Sequence, residues 1–168
     1  HEACIRIIDK QFKPMDNFAD RDHCIQYMCS VMLVFGRLEA TDYTDGGEAA
    51  TSELVESLRQ KIKCVEDPQY TRDYHDPALR TISNALTVEL NDGTILDEVA
   101  VEAPLGHRLR REEAKPVILA KYKRHLGPHL SESRVRELVE LSQNSSKLDG
   151  MAVDEYVDLY TVKESKFL

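Results

Sequence analysis

The chain has 168 residues, 42% of them hydrophobic and 31% charged, with a formal net charge of −8. That size and mixture fit one globular domain with its own core, or a core plus an appendage, and exclude disorder throughout. The acidic balance argues against a nucleic-acid binder, and no apolar run approaches the roughly 20 residues that cross a bilayer, so no membrane partner is expected.

The chain opens at His1 rather than methionine and inside a structural element, which reads as a fragment or a processed product. Cys4, Ile5, Ile7 and Ile8 favour a short helix. Pro14, Asn17 and Asp20 then predict a loop ending at Asp22, a good N-cap for a helix over residues 23–35 that Gly36 stops. Apolar residues take nearly the whole circumference of that helix, so it should be the most buried. On it His23 and Tyr27 lie four residues apart and share a face.

Thr41, Asp45, Gly46 and Gly47 predict a flexible surface loop. Ser52 caps a covering helix with Leu54, Val55, Leu58 and Ile62 on one stripe. Residues 62–65 suit a short strand, and residues 66–80 an ordered crossing with Tyr70, Tyr74 and His75 as aromatic anchors.

The stretch from Ile82 to Arg111 organises the rest. Leu86, Val88 and Leu90 alternate with polar neighbours, Asp92-Gly93 suits a two-residue turn, and Ile95, Val99 and Val101 alternate on the return. That register sets Leu90 opposite Ile95, Leu86 opposite Val99 and Asn84 opposite Val101, with all the apolar residues on one side. Asp97, opposite Val88, is the single break. The second strand then feeds a cationic loop, His107-Arg108-Leu109-Arg110-Arg111, where an anionic ligand is expected.

Pro116 fits the first turn of the next helix, and Gly127-Pro128 closes it. That break also removes the geometry by which His125 and His129 could share a metal, so no metal is expected there. Ser131 starts a further helix, residues 144–146 interrupt it, and residues 151–162 read as a short amphipathic helix. Cys4, Cys24, Cys29 and Cys64 form no CxxC pair and no zinc spacing. Buried free thiols in a reducing compartment are expected, and no iron–sulfur site.

Several segments, in order and spacing, resemble the MmgE/PrpD family, hydro-lyases of propionate breakdown. They are residues 20–28 (DRDHCIQYM), 35–38 (FGRL), 73–77 (DYHDP), 91–94 (NDGT), 106–111 (GHRLRR) and 153–160 (VDEYVDLY). The sequence departs from the family pattern at Leu109, which interrupts a basic loop, and at Ala114, where a glycine often stands two residues before the proline.

The resemblance implies an α+β fold, an antiparallel hairpin-containing sheet covered by helices, forming the smaller, lid-like domain of a two-domain enzyme. Residues 1–130 would make that domain, incomplete at its N-terminus. Residues 131–168 would be a helical segment packing on a missing N-terminal helical domain. The implied reaction is dehydration of 2-methylcitrate, or a related tricarboxylate, to 2-methyl-cis-aconitate without a cofactor. A cis-aconitate decarboxylase-like enzyme and a non-catalytic anion- or partner-binding module are the alternatives.

Such a dehydration needs a base, an acid for the departing hydroxyl, and cations for the carboxylates. The resemblance makes Tyr27 the candidate donor, with His23 beside it. Arg108, Arg110, Arg111 and His107 are the candidate substrate contacts, because arginine grips carboxylates through paired hydrogen bonds. The resemblance places the base outside this chain and implies a homodimer. It also implies a mitochondrial matrix location if the source is fungal, or the cytoplasm if bacterial, and no secretion.

Overall fold

The computed structural model describes residues 1–161. They form a small α+β protein of two compact units that divide after Pro104. The segment expected from residue 131 onward lies in the second unit, together with the helix before it.

The first unit runs α1 (Glu2–Ile8), α2 (Phe18–Asp22), α3 (Ile25–Phe35), a 3-10 turn at Ala40–Tyr43, α4 (Glu53–Arg59), α5 (Pro68–His75), β1 (Asn84–Leu86) and β2 (Val99–Val101). Its core is Cys24, Tyr27, Val31, Ala49 and Val55, where α3 packs on α4, with Phe35, Leu38 and Tyr43 against it. As expected, Gly36 ends α3 in the left-handed conformation, but the helix is buried along one side, through Gln26, Tyr27, Ser30 and Val31, and not around its circumference, since Met32 and Leu33 are exposed. Ser52 Oγ accepts from Val55 N at 3.3 Å to start α4.

Three local expectations are corrected. The predicted loop before α3 contains α2, a five-residue helix capped by Asn17, whose side chain accepts from Asp20 N at 3.0 Å. The cap of α3 is Cys24 rather than Asp22: its Sγ accepts from Tyr27 N at 3.4 Å. Residues 62–65 form no strand, and most of the following crossing is α5, with Asp67 as its cap and Pro68 in its first turn. Its Tyr74 ring stacks on His1 at 3.9 Å.

The hairpin has the predicted register where β1 meets β2: Asn84 pairs with Val101 and Leu86 with Val99. Nearer the turn it differs. Gly93 N donates to Leu90 O at 2.9 Å, Leu90 N donates to Thr94 O at 2.8 Å, and Gly93 has φ +85°. The loop is therefore three residues long, Asn91-Asp92-Gly93, with the glycine supplying the left-handed position.

Glu89, not Leu90, now bridges Ile95. Leu96 N donates to Val88 O at 2.9 Å while Val99 stays opposite Leu86, so the second strand carries one extra residue around Asp97-Glu98. This bulge puts Leu96 rather than Asp97 opposite Val88. The break in the apolar pattern disappears, but the pattern is not a core: every residue of β1 and β2 is exposed.

The second unit holds a 3-10 turn at Arg108–Arg110, α6 (Arg111–Leu126), α7 (Glu132–Ser142), α8 (Ser145–Asp149) and α9 (Val153–Asp158). Ala114, Leu138, Val139 and Leu141 are its buried apolar residues. Ser131 caps α7, as expected, and the interruption expected at residues 144–146 is the start of a further short helix, α8, capped by Asn144. Pro116 sits inside α6 rather than in its first turn. The 3-10 turn runs directly into the helix and moves its start to Arg111, so the missing N–H of Pro116 leaves the Glu112 carbonyl without its helical donor. The helix expected over 151–162 ends at Asp158, and Val162 lies outside the described residues.

Candidate functional site

Tyr27 and His23 do not share a helix face. His23 caps the end of α2, two residues before α3 begins, and is largely exposed, its Nδ1 lying 2.5 Å from the Asp22 carboxylate. Tyr27 is 3% exposed, and its hydroxyl donates to the Asp42 carbonyl oxygen at 2.6 Å. Burial pushes its pKa up to about 12, Asp42 adding to the effect and Arg21 opposing it.

The turn that receives this hydroxyl was expected to be a flexible loop and is instead tied down. Asp42 is buried, pairs with Arg37 and accepts from Glu39 N at 2.7 Å. That contact raises the Arg37 pKa. Arg21, 4% exposed, donates to Asp45 Oδ1 at 2.7 and 2.6 Å and to the Tyr43 carbonyl at 3.3 Å.

Because an unfolded tyrosine ionises near 10 and Tyr27 only near 12, the folded chain holds a proton that the unfolded chain releases between those values. Stability from this group is present below pH 10 and is lost as pH rises to 12, at most about 2 to 3 kcal/mol. Tyr43, Tyr70, Tyr156 and Tyr160 are raised in the same direction, so the tyrosinate absorbance of the seven tyrosines should have a late phase in which Tyr27 takes part. Tyr27→Phe should shrink that phase by one tyrosine, and an unchanged late amplitude would refute the assignment.

A second buried polar cluster lies under α3 and α4. Gln26, fully buried, accepts from Lys10 N at 3.2 Å, and its Nε2 donates to Asp9 Oδ1 at 2.5 Å and to Cys64 Sγ at 3.4 Å. The thiol of Cys24 approaches its Oε1 at 3.5 Å. Arg59, 4% exposed, holds both oxygens of Glu56 at 2.7 and 2.6 Å and donates to the carbonyls of Lys10 and Gln11 at 2.9 and 2.6 Å. Cys24, Cys29 and Cys64 are free thiols. Burial raises the pKa of Cys29, and lifts Cys64 to about 11 with help from Asp9.

The basic residues belong to the second unit and form a helix entry rather than a loop. His107 Nδ1 accepts from Leu109 N at 3.3 Å, Arg108 and Arg110 lie on the 3-10 turn, and Arg111 opens α6. Arg110 pairs with Glu113 at 2.8 Å, which raises the arginine pKa and lowers that of the carboxyl. Arg108 and Arg111 are exposed and form no ion pair among the described residues. Cations at a helix N-terminus oppose the macrodipole, so this is an adverse arrangement in the absence of an anion. His23 and Tyr27 therefore sit in one unit, and His107, Arg108, Arg110 and Arg111 in the other. Among the described residues no helix is long and apolar enough to cross a membrane.

The chain belongs to the MmgE/PrpD family: the family's C-terminal domain matches residues 1–147. It is 51% identical over 162 residues to the 2-methylcitrate dehydratase of Cupriavidus necator, covering 96% of this chain and 33% of that protein. It is 48% identical over 162 residues to the 2-methylcitrate dehydratase of Escherichia coli strain K12, with the same two coverages. The mitochondrial 2-methylcitrate dehydratase of Yarrowia lipolytica is 48% identical over 163 residues, 97% of this chain and 30% of that protein. The chain thus spans about a third of the length of the curated relatives it matches.

Proposed function

We propose that this chain is the C-terminal part of a hydro-lyase that removes water from 2-methylcitrate to give 2-methyl-cis-aconitate. The observation that carries the reading is the identity of about half over nearly the whole chain to proteins of that name. The bare apolar hairpin supports a part of a larger protein over a self-contained binding module. The N-terminal helical domain, the lid-like role of the first unit and the homodimer belong to the same proposal. So does the compartment, mitochondrial matrix or cytoplasm according to the source.

Elimination of water requires a proton to leave the carbon beside a carboxylate while the hydroxyl departs with a proton of its own. Tyr27 keeps its proton far above neutral pH, so it serves as the donor to the departing hydroxyl and not as the base. To do so its O–H turns from the Asp42 carbonyl to the substrate. His23 stands nearby in sequence on the surface, free of the helix. Arg108 and Arg111 grip substrate carboxylates, with Arg110 held by Glu113 and His107 shaping the turn. The base comes from the part of the full-length protein outside this chain.

The test follows the ultraviolet absorbance of the new conjugated double bond after 2-methylcitrate is added. The full-length protein should turn over and this chain alone should stay silent; a silent, folded full-length protein would overturn the reading. In the full-length enzyme Tyr27→Phe should lower kcat by about 100-fold, the low end for a positioned acid, with the fold intact by circular dichroism. Unchanged turnover would sink its role.

A further inference from the structure

The hairpin is the least satisfied element of the first unit. Its even-numbered residues put Ile82, Leu86, Val88 and Leu90 on one face with Leu96, Val99 and Val101 of the returning strand, and all of these but Val88 are exposed. The opposite face holds Ile95, exposed beside Glu89, and is otherwise small, polar or acidic. Residues 82–102 contain Glu89, Asp92, Asp97, Glu98 and Glu102 and no basic residue, and Thr87 Oγ1 donates to Glu98 Oε2 across the strands at 3.2 Å. Two strands alone are marginal in water, and an apolar face of this kind marks an interface.

The two edges are not equivalent. Val88 O and Leu90 N bond inward to the returning strand, so by alternation the N–H and C=O groups of Ala85 and Thr87 point away from it. That edge carries no lysine, proline or bulge. The β2 edge carries the bulge at Asp97-Glu98, a device that twists an edge away from further pairing.

We propose that an extended segment from the part of the full-length protein preceding this chain adds to the β1 edge, making a sheet of at least three strands. The proposal rests on the reading that the chain is about a third of a longer protein. Its chemistry is specified: the segment alternates apolar residues, continuing the Leu86 and Val88 face, with basic residues that meet the acidic face. Strand addition satisfies the outward groups of Ala85 and Thr87 and extends the apolar face toward the size a cover can bury.

The experiment compares Ala85→Pro with Ala100→Pro in the full-length protein. The two residues pair with each other, and both N–H groups point outward, so proline removes an outer-edge donor in each case. If β1 is an interior strand, Ala85→Pro lowers Tm by several degrees and Ala100→Pro leaves it nearly unchanged. Amide exchange at Ala85 and Thr87 should also be at least tenfold slower in the full-length protein than in this chain alone. Equal, small effects of the two prolines would overturn the proposal. So would a larger effect at Ala100, which would move the added strand to β2, or protection at Ala85 that vanishes on dilution, which would assign the edge to a second copy. These readouts do not depend on turnover, so they fail separately from the assignment of activity.

Discussion

Replacing Arg59 with methionine should destabilise the first unit by about 2 to 3 kcal/mol, because a buried guanidinium loses its charge-assisted hydrogen bonds to two carbonyls, while its partner Glu56 is 45% exposed and turns to water. The guanidinium ties α4 to the chain leaving α1 through the carbonyls of Lys10 and Gln11, and it satisfies both oxygens of Glu56. Methionine fills similar volume and carries none of those donors, so two carbonyls and a carboxylate lose partners at once. The cost should appear as a lower urea midpoint for the transition that circular dichroism assigns to the first unit. A shift worth less than about 1 kcal/mol would mean that water replaces the guanidinium there at little cost. The effect should also shrink in acid. Arg59 holds the Glu56 carboxyl below its ordinary pKa, so this pairing is fully present above the ordinary glutamate range and is lost as pH falls through the lowered value.

Removing the two uncommitted arginines should act on binding and spare the fold. In the full-length enzyme, Arg108→Ala with Arg111→Ala should raise KM for 2-methylcitrate by about 100-fold or more, each charge-assisted contact being worth roughly 1.5 to 3 kcal/mol. The same variant should be as stable as its parent or slightly more so, because it takes two cations away from a helix N-terminus. Arg110→Ala is the internal control: its guanidinium is already held by Glu113, so its effect on KM should be several-fold at most. Steady-state kinetics beside thermal denaturation decide the matter. An unchanged KM in the double variant would remove these residues from the substrate contacts.

What could be read from the sequence was whatever repeats with a period or punctuates a turn. The run from Ile25 to Phe35 with Gly36 behind it, the capping serines Ser52 and Ser131, and the pairing of Leu86 with Val99 all follow from local chemistry, and all are present. The family was legible too, since spaced motifs survive where single ones are ambiguous. Five-residue α2 has too few turns to show a period, and a sulfur cap at Cys24 is a weak acceptor that no capping preference favours. The hairpin turn misled by one residue because Asp-Gly suits both a two-residue loop and the end of a three-residue one; a bulge further along restored the register.

Burial of polar side chains was the larger omission. Gln26, Asp42 and Arg59 interrupt apolar patterns and read as surface, yet each is enclosed by long-range partners that periodicity cannot reveal. The assumption that His23 continued the helix of Tyr27 failed for the same reason as the missed cap. Spacing of four means a shared face only when both residues lie on the helix.

The raised thiol pKa values of Cys29 and Cys64 bear on how this protein meets electrophiles and peroxide. Only the thiolate reacts at a useful rate, and an ordinary cysteine is about 3% ionised at pH 7. With its pKa near 11, Cys64 is ionised only about once in 10,000 molecules at that pH, and Cys29 is shifted in the same direction. Burial therefore keeps both sulfurs chemically quiet, and at Cys64 the Asp9 carboxylate of the polar cluster adds to it. Alkylating reagents should label Cys64 hundreds of times more slowly in the folded chain than in urea, and Cys29 more slowly too, which turns the labelling rate into a direct gauge of how often this part of the first unit opens.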